Sequence, residues 1–217
     1  MQFTVLTWNI RFALGSDGRR DPARIVDRIA AEDADIVFLQ ECDDRFGRRA
    51  SLPLPLLGAA GYRPARAGGR SLGWRGNAVL VRRGVPVAAT RRVPLAGFEI
   101  RGALMLALPQ ASVACVHLGL LRFHRRRQLR EVLAALEGMG GPHLVAGDFN
   151  EWRRRGLRLP PGWRMAAPGP TFPSRRPLLP LDRVLVGPGL HVEEAEVVRA
   201  AGLASDHLPV RARIRRG

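Results

Sequence analysis

Short apolar runs, rich in β-branched residues, alternate along the chain with clusters of glycine, proline and arginine. By length and composition they predict strands over 3–8, 35–40, 77–81, 103–108, 112–117, 143–146, 183–186 and 210–214. Two stretches follow helical spacing instead. Asp21 before Pro22 reads as an N-cap with proline at the first helical position, opening a helix to about residue 31 with Ile25, Val26 and Ile29 on one face. The second helix runs over about 122–137, with Leu129, Val132, Leu133 and Leu136 on one face and Arg126, Arg127 and Arg130 largely elsewhere. Gly138-Met139-Gly140-Gly141-Pro142 ends it. The succession of strand, helix, strand, several strands, helix and strand predicts a layered α/β architecture with mixed sheets. No internal repeat is visible. Stretches 51–69 and 156–180, rich in Pro and Gly, are predicted as long surface loops, and loops of that length are often functional.

Composition bounds this picture. The 217 residues suit one domain, 1–217, and 46% apolar with 25% charged residues is ordinary for a globular protein. The charge is not ordinary: 35 basic against 19 acidic residues give +16, and every basic residue is arginine. A bias that swaps lysine for arginine explains the choice of side chain but not the surplus. The surplus points to a polyanionic partner, whether nucleic acid, anionic lipid headgroups or a phosphorylated metabolite. Cys42 and Cys115 are too few for a disulfide framework and read as two buried, reduced thiols. Residues 1–6 enter a strand at once, without the pattern of an export signal. No uncharged apolar stretch approaches the roughly 20 residues of a membrane span, so no transmembrane segment and a cytoplasmic location are expected.

The chemistry is predicted where strands end. Leu6-Thr7-Trp8 runs into Asn9, Val37-Phe38-Leu39-Gln40 into Glu41, and Ala114-Cys115-Val116 into His117. Val145-Ala146-Gly147 runs into Asp148-Phe149-Asn150, Ser205-Asp206-His207 precedes the last strand, and Asp182 precedes Arg183-Val184-Leu185. Singly, such an Asp or Asn is usually a turn former, such a Glu a solvated residue, and such a His a satisfied core residue. Together they place groups of ligand or acid–base character at six strand ends, where they can gather at one sheet edge into a polar pocket.

The strings T-W-N-I (7–10), L-Q-E (39–41), G-N-A-V-L (76–80), H-L (117–118), G-D-F-N (147–150), L-D-R-V (181–184) and S-D-H-L-P-V (205–210) occur in the order of the endonuclease/exonuclease/phosphatase superfamily. The chain resembles that group, which includes deoxyribonuclease I and the neutral sphingomyelinases. The resemblance implies a four-layer α/β sandwich, with two mixed β-sheets packed face to face and helices outside. It implies that Glu41, with Asn9 beside it and Asp206 as a further carboxylate, would bind Mg²⁺, with Mn²⁺ as the alternative, since a hard dication wants oxygen ligands. Asp148 resembles the carboxylate that orients or deprotonates the attacking water, and Asn150 the amide that fixes Asp148 or a phosphate oxygen. His207 looks like the imidazole that contacts the phosphate, Asp182 like its partner, and His117 like another phosphate-facing donor or acid. The equivalent of His117 in deoxyribonuclease I has its own acidic partner, whereas here no Asp or Glu occurs between Tyr62 and Phe98.

A finer similarity, in H-L-G-L (117–120), R-R-R-Q (125–128) and T-F-P-S-R-R-P-L-L-P-L-D-R-V (171–184), is to a small bacterial subgroup near the sphingomyelinase branch. Asn77, Glu99 and Arg101 also recur in such sequences. Asn77 and Arg101 are candidate substrate contacts, with a strand-edge role for Asn77 and a salt bridge of Arg101 to Glu99 as alternatives. Arg175 and Arg176 are candidates for a flanking phosphate. The leading expectation is a metal-dependent phosphoesterase cleaving a phospholipid-like or other small phosphodiester, with peripheral contact to anionic lipid. The runner-up is a DNA or RNA nuclease, for which Trp74, Trp152, Trp163 and Phe172 could stack bases, although aromatics total only 6%. A binding protein on an inactive version of the fold would be expected to have lost Glu41, Asp148 or His207, and all three are present.

Overall fold

In a computed structural model, which describes residues 1–43, 51–65, 71–153 and 156–217, two six-stranded mixed sheets pack face to face. The first sheet contains β1 (Gln2–Asn9), β2 (Ile36–Gln40), β3 (Tyr62–Pro64), β4 (Ala78–Arg82), β11 (Leu190–Val197) and β12 (Val210–Arg216), in the order β11-β12-β1-β2-β4-β3. The second contains β5 (Ala89–Leu95), β6 (Arg101–Ala107), β7 (Ser112–His117), β8 (His143–Asp148), β9 (Arg164–Ala166) and β10 (Asp182–Val186), in the order β5-β6-β7-β8-β10-β9. Each sheet is built around one parallel pair, β1 with β2 and β7 with β8, and its other pairings are antiparallel. Parallel neighbours need a crossover, which α1 (Pro22–Glu32) supplies in the first sheet and α3 (Arg122–Glu137) in the second. Although the sequence shows no repeat, the two sheets therefore share one plan.

Three apolar clusters define four layers. Phe3, Val5, Ile36, Phe38, Leu104, Val113, Leu144 and Val184 fill the space between the sheets. Leu6, Trp8, Val37 and Leu39 on the outer face of the first sheet meet Ile25, Val26 and Ile29 of α1, together with Leu57 of α2 (Leu54–Ala59). Ala103, Met105, Val116 and Val145 on the outer face of the second meet Leu129, Val132, Leu133 and Leu136 of α3. The capping expectation for α1 holds: the Asp21 carboxylate accepts from Arg24 N at 3.0 Å. Cys42 and Cys115 are free and buried, and burial pushes the Cys115 thiol up to about 12.

The sequence reading missed four strands and one helix. The stretch read as a loop at 51–69 contains α2 and β3, with 66–69 outside the described residues, and the stretch at 156–180 contains β9. β5 and β11 are edge strands with largely exposed, polar side chains, so they lack the apolar signal of a buried strand. β11 packs only Leu190, Val192 and Ala195 on the core between the sheets and adds charge pairs to its ladder with β12. Glu193, Glu194 and Glu196 pair with Arg215, Arg213 and Arg211 across to β12, a ladder of opposite charges that also blunts the sheet edge.

One glycine sets how closely β7 and β8 approach. Gly147 has φ +155°, and a Cβ built on it would overlap the carbonyl oxygen of Val116, its partner on β7. We expect Gly147→Ala to lower stability by about 2 kcal/mol or more, the scale of forced overpacking in a buried strand. Urea denaturation is the check; a change under about 0.5 kcal/mol would mean that β7 retreats freely.

Candidate active site

Strand parity builds the site. Side chains alternate between the faces of a sheet, so residues that share parity with the core between the sheets continue into the same gap at the strand ends. Phe3 and Val5 lead to Thr7 and Asn9; Ile36 and Phe38 lead to Gln40; Val113 and Cys115 lead to His117; Leu144 and Ala146 lead to Asp148. Asp182 opens β10 in line with Val184 and Val186, and Asn77 precedes Val79 and Val81. The register then sets them side by side: His117 is opposite Asp148 on β7 and β8, and Asp182 is opposite Asp148 on β10. All of these lie at one edge of the two sheets, at the carboxyl ends of the parallel pairs.

Asp148 is the hub. Its Oδ1 accepts from the backbone N–H of Asn150 at 2.8 Å, and its Oδ2 accepts from Asn9 Nδ2 at 3.1 Å. His117 Nε2 lies 3.4 Å and His207 Nε2 3.8 Å from the same Oδ2. Asn9 thus ties the first sheet to the second, and its Nδ2 also reaches Glu41 Oε1 at 3.3 Å. Glu41 and Asn150 both have φ 50°, in the left-handed region that asparagine tolerates well and glutamate seldom occupies. Asn150 Nδ2 donates to the Leu118 carbonyl at 2.9 Å, which pins the loop after β8 to the loop after β7.

The two histidines carry different charge. Burial lowers His117 to about 3, helped by Arg101 and His207 and opposed by Asp148, so its imidazole is neutral. Burial also disfavours charge on His207, but Asp182, Asp148 and Asp206 outweigh it and push this imidazole up to about 10. The partner predicted for His207 is in place: Asp182 Oδ2 lies 2.8 Å from His207 Nδ1. That oxygen also accepts from Thr171 Oγ1 at 2.6 Å. Thr171, Trp8 and Ser205 are contributors that the sequence reading did not assign. Trp8 Nε1 donates to the His207 carbonyl at 2.9 Å, and Ser205 Oγ donates to the Asn9 carbonyl at 2.7 Å. Thr171 and Ser205 stand inside the recognised strings, but their partners are set by the fold.

The remaining predicted residues divide. Asp206 lies at the cluster, 3.5 Å from Arg11 Nε. Burial lowers the pKa of Arg101, while Asp148, Glu99 and Glu41 oppose the shift, so its guanidinium sits in the field of the carboxylates. Among the described residues Glu99 and Arg101 form no direct ion pair; Glu99 Oε1 instead accepts from Leu120 N at 2.8 Å. Asn77 is fully buried and donates to the Gly102 carbonyl at 2.8 Å, bridging the sheets. Arg175 donates to the Ser16 carbonyl, whereas Arg176 is exposed and makes no hydrogen bond or ion pair to the cluster among the described residues.

Two donor sets could hold a metal. Asp148, Asp182 and His207 bring one ligand atom each within 4.8 Å of one another. There, however, the Asp182 oxygen and the His207 ring are already bonded to each other. Glu41, Asn9 and Asp206 form an oxygen-rich set. Burial raises the pKa of Glu41; the Asn9 hydrogen bond opposes this, and the charges of Asp206 and Asp148 add to it. A hard dication placed among these carboxylates would relieve that repulsion, and the Asn9 amide, which turns Nδ2 to Glu41 and accepts from Arg11 N at Oδ1, would have to flip to offer it an oxygen.

The sequence profile of the Endonuclease/Exonuclease/phosphatase family matches residues 6–207. Uncharacterized protein YbhP of Escherichia coli (strain K12) is 36% identical over 160 residues, covering 65% of this chain and 63% of YbhP, less than two thirds of that protein's length. The crystal structure of an endonuclease/exonuclease/phosphatase from Beutenbergia cavernae DSM 12333 superposes with a TM-score of 0.76 at 26% identity, over 100% of this chain and 72% of the other. TDP2 of D. rerio, complexed with single strand DNA product, superposes with a TM-score of 0.75 at 17% identity, over 99% of each chain, a likeness of fold.

The Asp182–His207 pair is directly testable. With Asp182→Asn, the His207 imidazole is expected to titrate at lower pH than in the unsubstituted protein, followed by NMR of its ring protons in chelator. An unchanged titration would remove Asp182 as the source of the shift.

Proposed function

The chain belongs to the endonuclease/exonuclease/phosphatase family, and from that premise we propose that it is a divalent-metal-dependent phosphodiesterase acting on a small or phospholipid-like phosphodiester. The observation that carries this reading is the surround of Asp148: one fixed carboxylate between a neutral and a charged imidazole. Asp148 takes the proton of the attacking water, its orientation held through Asn150 on one oxygen and Asn9 on the other. His207, held as imidazolium by Asp182, donates Nε2–H to a non-bridging phosphate oxygen and offsets the charge that gathers there. His117 serves as a neutral hydrogen-bond donor rather than a resting general acid, because its burial holds it unprotonated near neutral pH. Arg101 adds a second cation in the field of Asp148 and Glu41.

Glu41, Asn9 and Asp206 would hold the metal. When bound, Mg²⁺ or Mn²⁺ supplies positive charge to a phosphate oxygen and eases deprotonation of water. A nuclease is the second reading, favoured by the net charge of +16, since a nuclease must neutralise several consecutive phosphates.

Turnover of bis-p-nitrophenyl phosphate is expected with Mg²⁺ or Mn²⁺ and is expected to vanish in EDTA; full activity without metal would sink the mechanism. Asp148→Asn and His207→Ala are each expected to lower kcat by at least ~100-fold with folding retained by circular dichroism. A variant within a few-fold of the unsubstituted enzyme would leave the catalytic set. Efficient plasmid nicking at physiological salt, with small diesters untouched, would favour the nuclease.

A further inference from the structure

Several large apolar side chains that the fold does not bury gather beside the site. Phe98 is 83% exposed, Ile100 77%, Leu120 63%, Phe123 62% and Trp152 51%. They come from three segments that adjoin the cluster in sequence: 98–100 precedes Arg101, 118–123 follows His117, and Trp152 follows Asn150. The segments also touch one another. Leu120 N donates to Glu99, Gln128 Nε2 donates to the Ala96 carbonyl at 2.9 Å, and the Arg125 guanidinium lies over the Trp152 ring. The His124 ring sits between the two phenylalanines, 4.9 Å from Phe98 and 4.1 Å from Phe123. A contiguous rim of aromatic and aliphatic side chains on a protein surface marks a site of interaction.

Charge says what covers it. Residues 118–131 carry five arginines against one glutamate, and segment 98–101 adds one of each, Glu99 and Arg101. Glu131 is paired with Arg127, and buried Glu151 with Arg125 and Arg122, which leaves Arg126 and Arg130 with no acidic partner among the described residues. α3 begins here with no side-chain cap and no acidic residue in its first turn, so the positive end of its dipole is added to the arginines rather than cancelled. Apolar and aromatic side chains flanked by arginine suit the boundary between acyl chains and anionic headgroups. We propose that the rim of Phe98, Ile100, Leu120, Phe123 and Trp152 docks on a bilayer containing anionic phospholipid and brings the catalytic cluster to its headgroups. No helix among the described residues is long and apolar enough to cross a membrane, and the proposed contact is made by the rim side chains alone. That the bound headgroup is a substrate rests on the phosphodiesterase reading; the docking does not.

The test is sedimentation of the full chain with vesicles of phosphatidylglycerol and phosphatidylcholine, or of phosphatidylcholine alone. The unsubstituted protein is expected to bind the anionic vesicles preferentially, and less so as salt rises. The combined Phe98→Ser, Ile100→Ser and Phe123→Ser variant should bind at least about tenfold more weakly, the scale of losing three partly inserted apolar side chains. Its turnover of bis-p-nitrophenyl phosphate should stay at the unsubstituted level, which also reports that it has folded. Absence of binding to anionic vesicles by the unsubstituted protein would overturn the proposal without need of any variant. So would equal binding by a folded triple variant, or an analytical-ultracentrifuge dimer that the substitutions dissociate, since a second copy would then cover the rim. If vesicles bind but no diester is cleaved, the phosphodiesterase reading falls and the docking surface stands.

Discussion

Everything at the site depends on the packing of two sheets face to face with their strand ends aligned. The gap between them must be filled, and along most of its length Phe3, Ile36, Leu104, Val113 and Val184 fill it with hydrocarbon. At one edge the same alternation delivers Asn9, Gln40, His117, Asp148 and Asp182 into that gap. Buried polar groups are costly unless they are bonded. The edge meets much of that demand by bonding them to one another, Asn9 to Asp148, Gln40 to Thr7, Asp182 to Thr171 and His207, while Gln40 Oε1 and Asp182 Oδ1 keep no partner among the described residues. The network that could perform chemistry is therefore also the solution to a packing problem.

Electrostatics then distinguishes groups that are chemically alike. His117 and His207 both approach the same oxygen of Asp148, yet one is held near 3 and the other near 10. The difference lies in what stands behind each ring. His207 has Asp182 at Nδ1, whereas His117 is buried near the positive charge of Arg101 and His207. Asp148, 3.4 Å from His117 Nε2, raises that pKa but does not offset burial, the largest cause of its fall.

Much of this was legible beforehand because it rests on local pattern. The strand-end residues Asn9, Glu41, His117, Asp148, Asp182 and Asp206-His207 were readable from where apolar runs stop, and α3 from its spacing. Other parts depend on partners far along the chain. β11 became a strand by pairing along β12, and β5 and β9 lie at a sheet edge, where alternation fades. Thr171 gained its place only because its hydroxyl meets Asp182, and Arg125, which composition would put in solvent, is buried against Glu151. Arg176, a candidate phosphate contact, is exposed on the loop that Ser174 N–H ties to the Asp206 carbonyl.

β1 lies beside β12, Trp8 holds the carbonyl of His207, and Ser205 holds that of Asn9. The segments that meet there are among the earliest and the latest of this sequence to leave the ribosome. Until residues 205–216 have emerged, β1 lacks one neighbour, Asn9 lacks the Ser205 bond and Asp148 lacks its charged imidazole. Synthesis thus has a built-in delay. The β7-α3-β8 unit, by contrast, draws on residues 112–148 alone and needs none of that later segment.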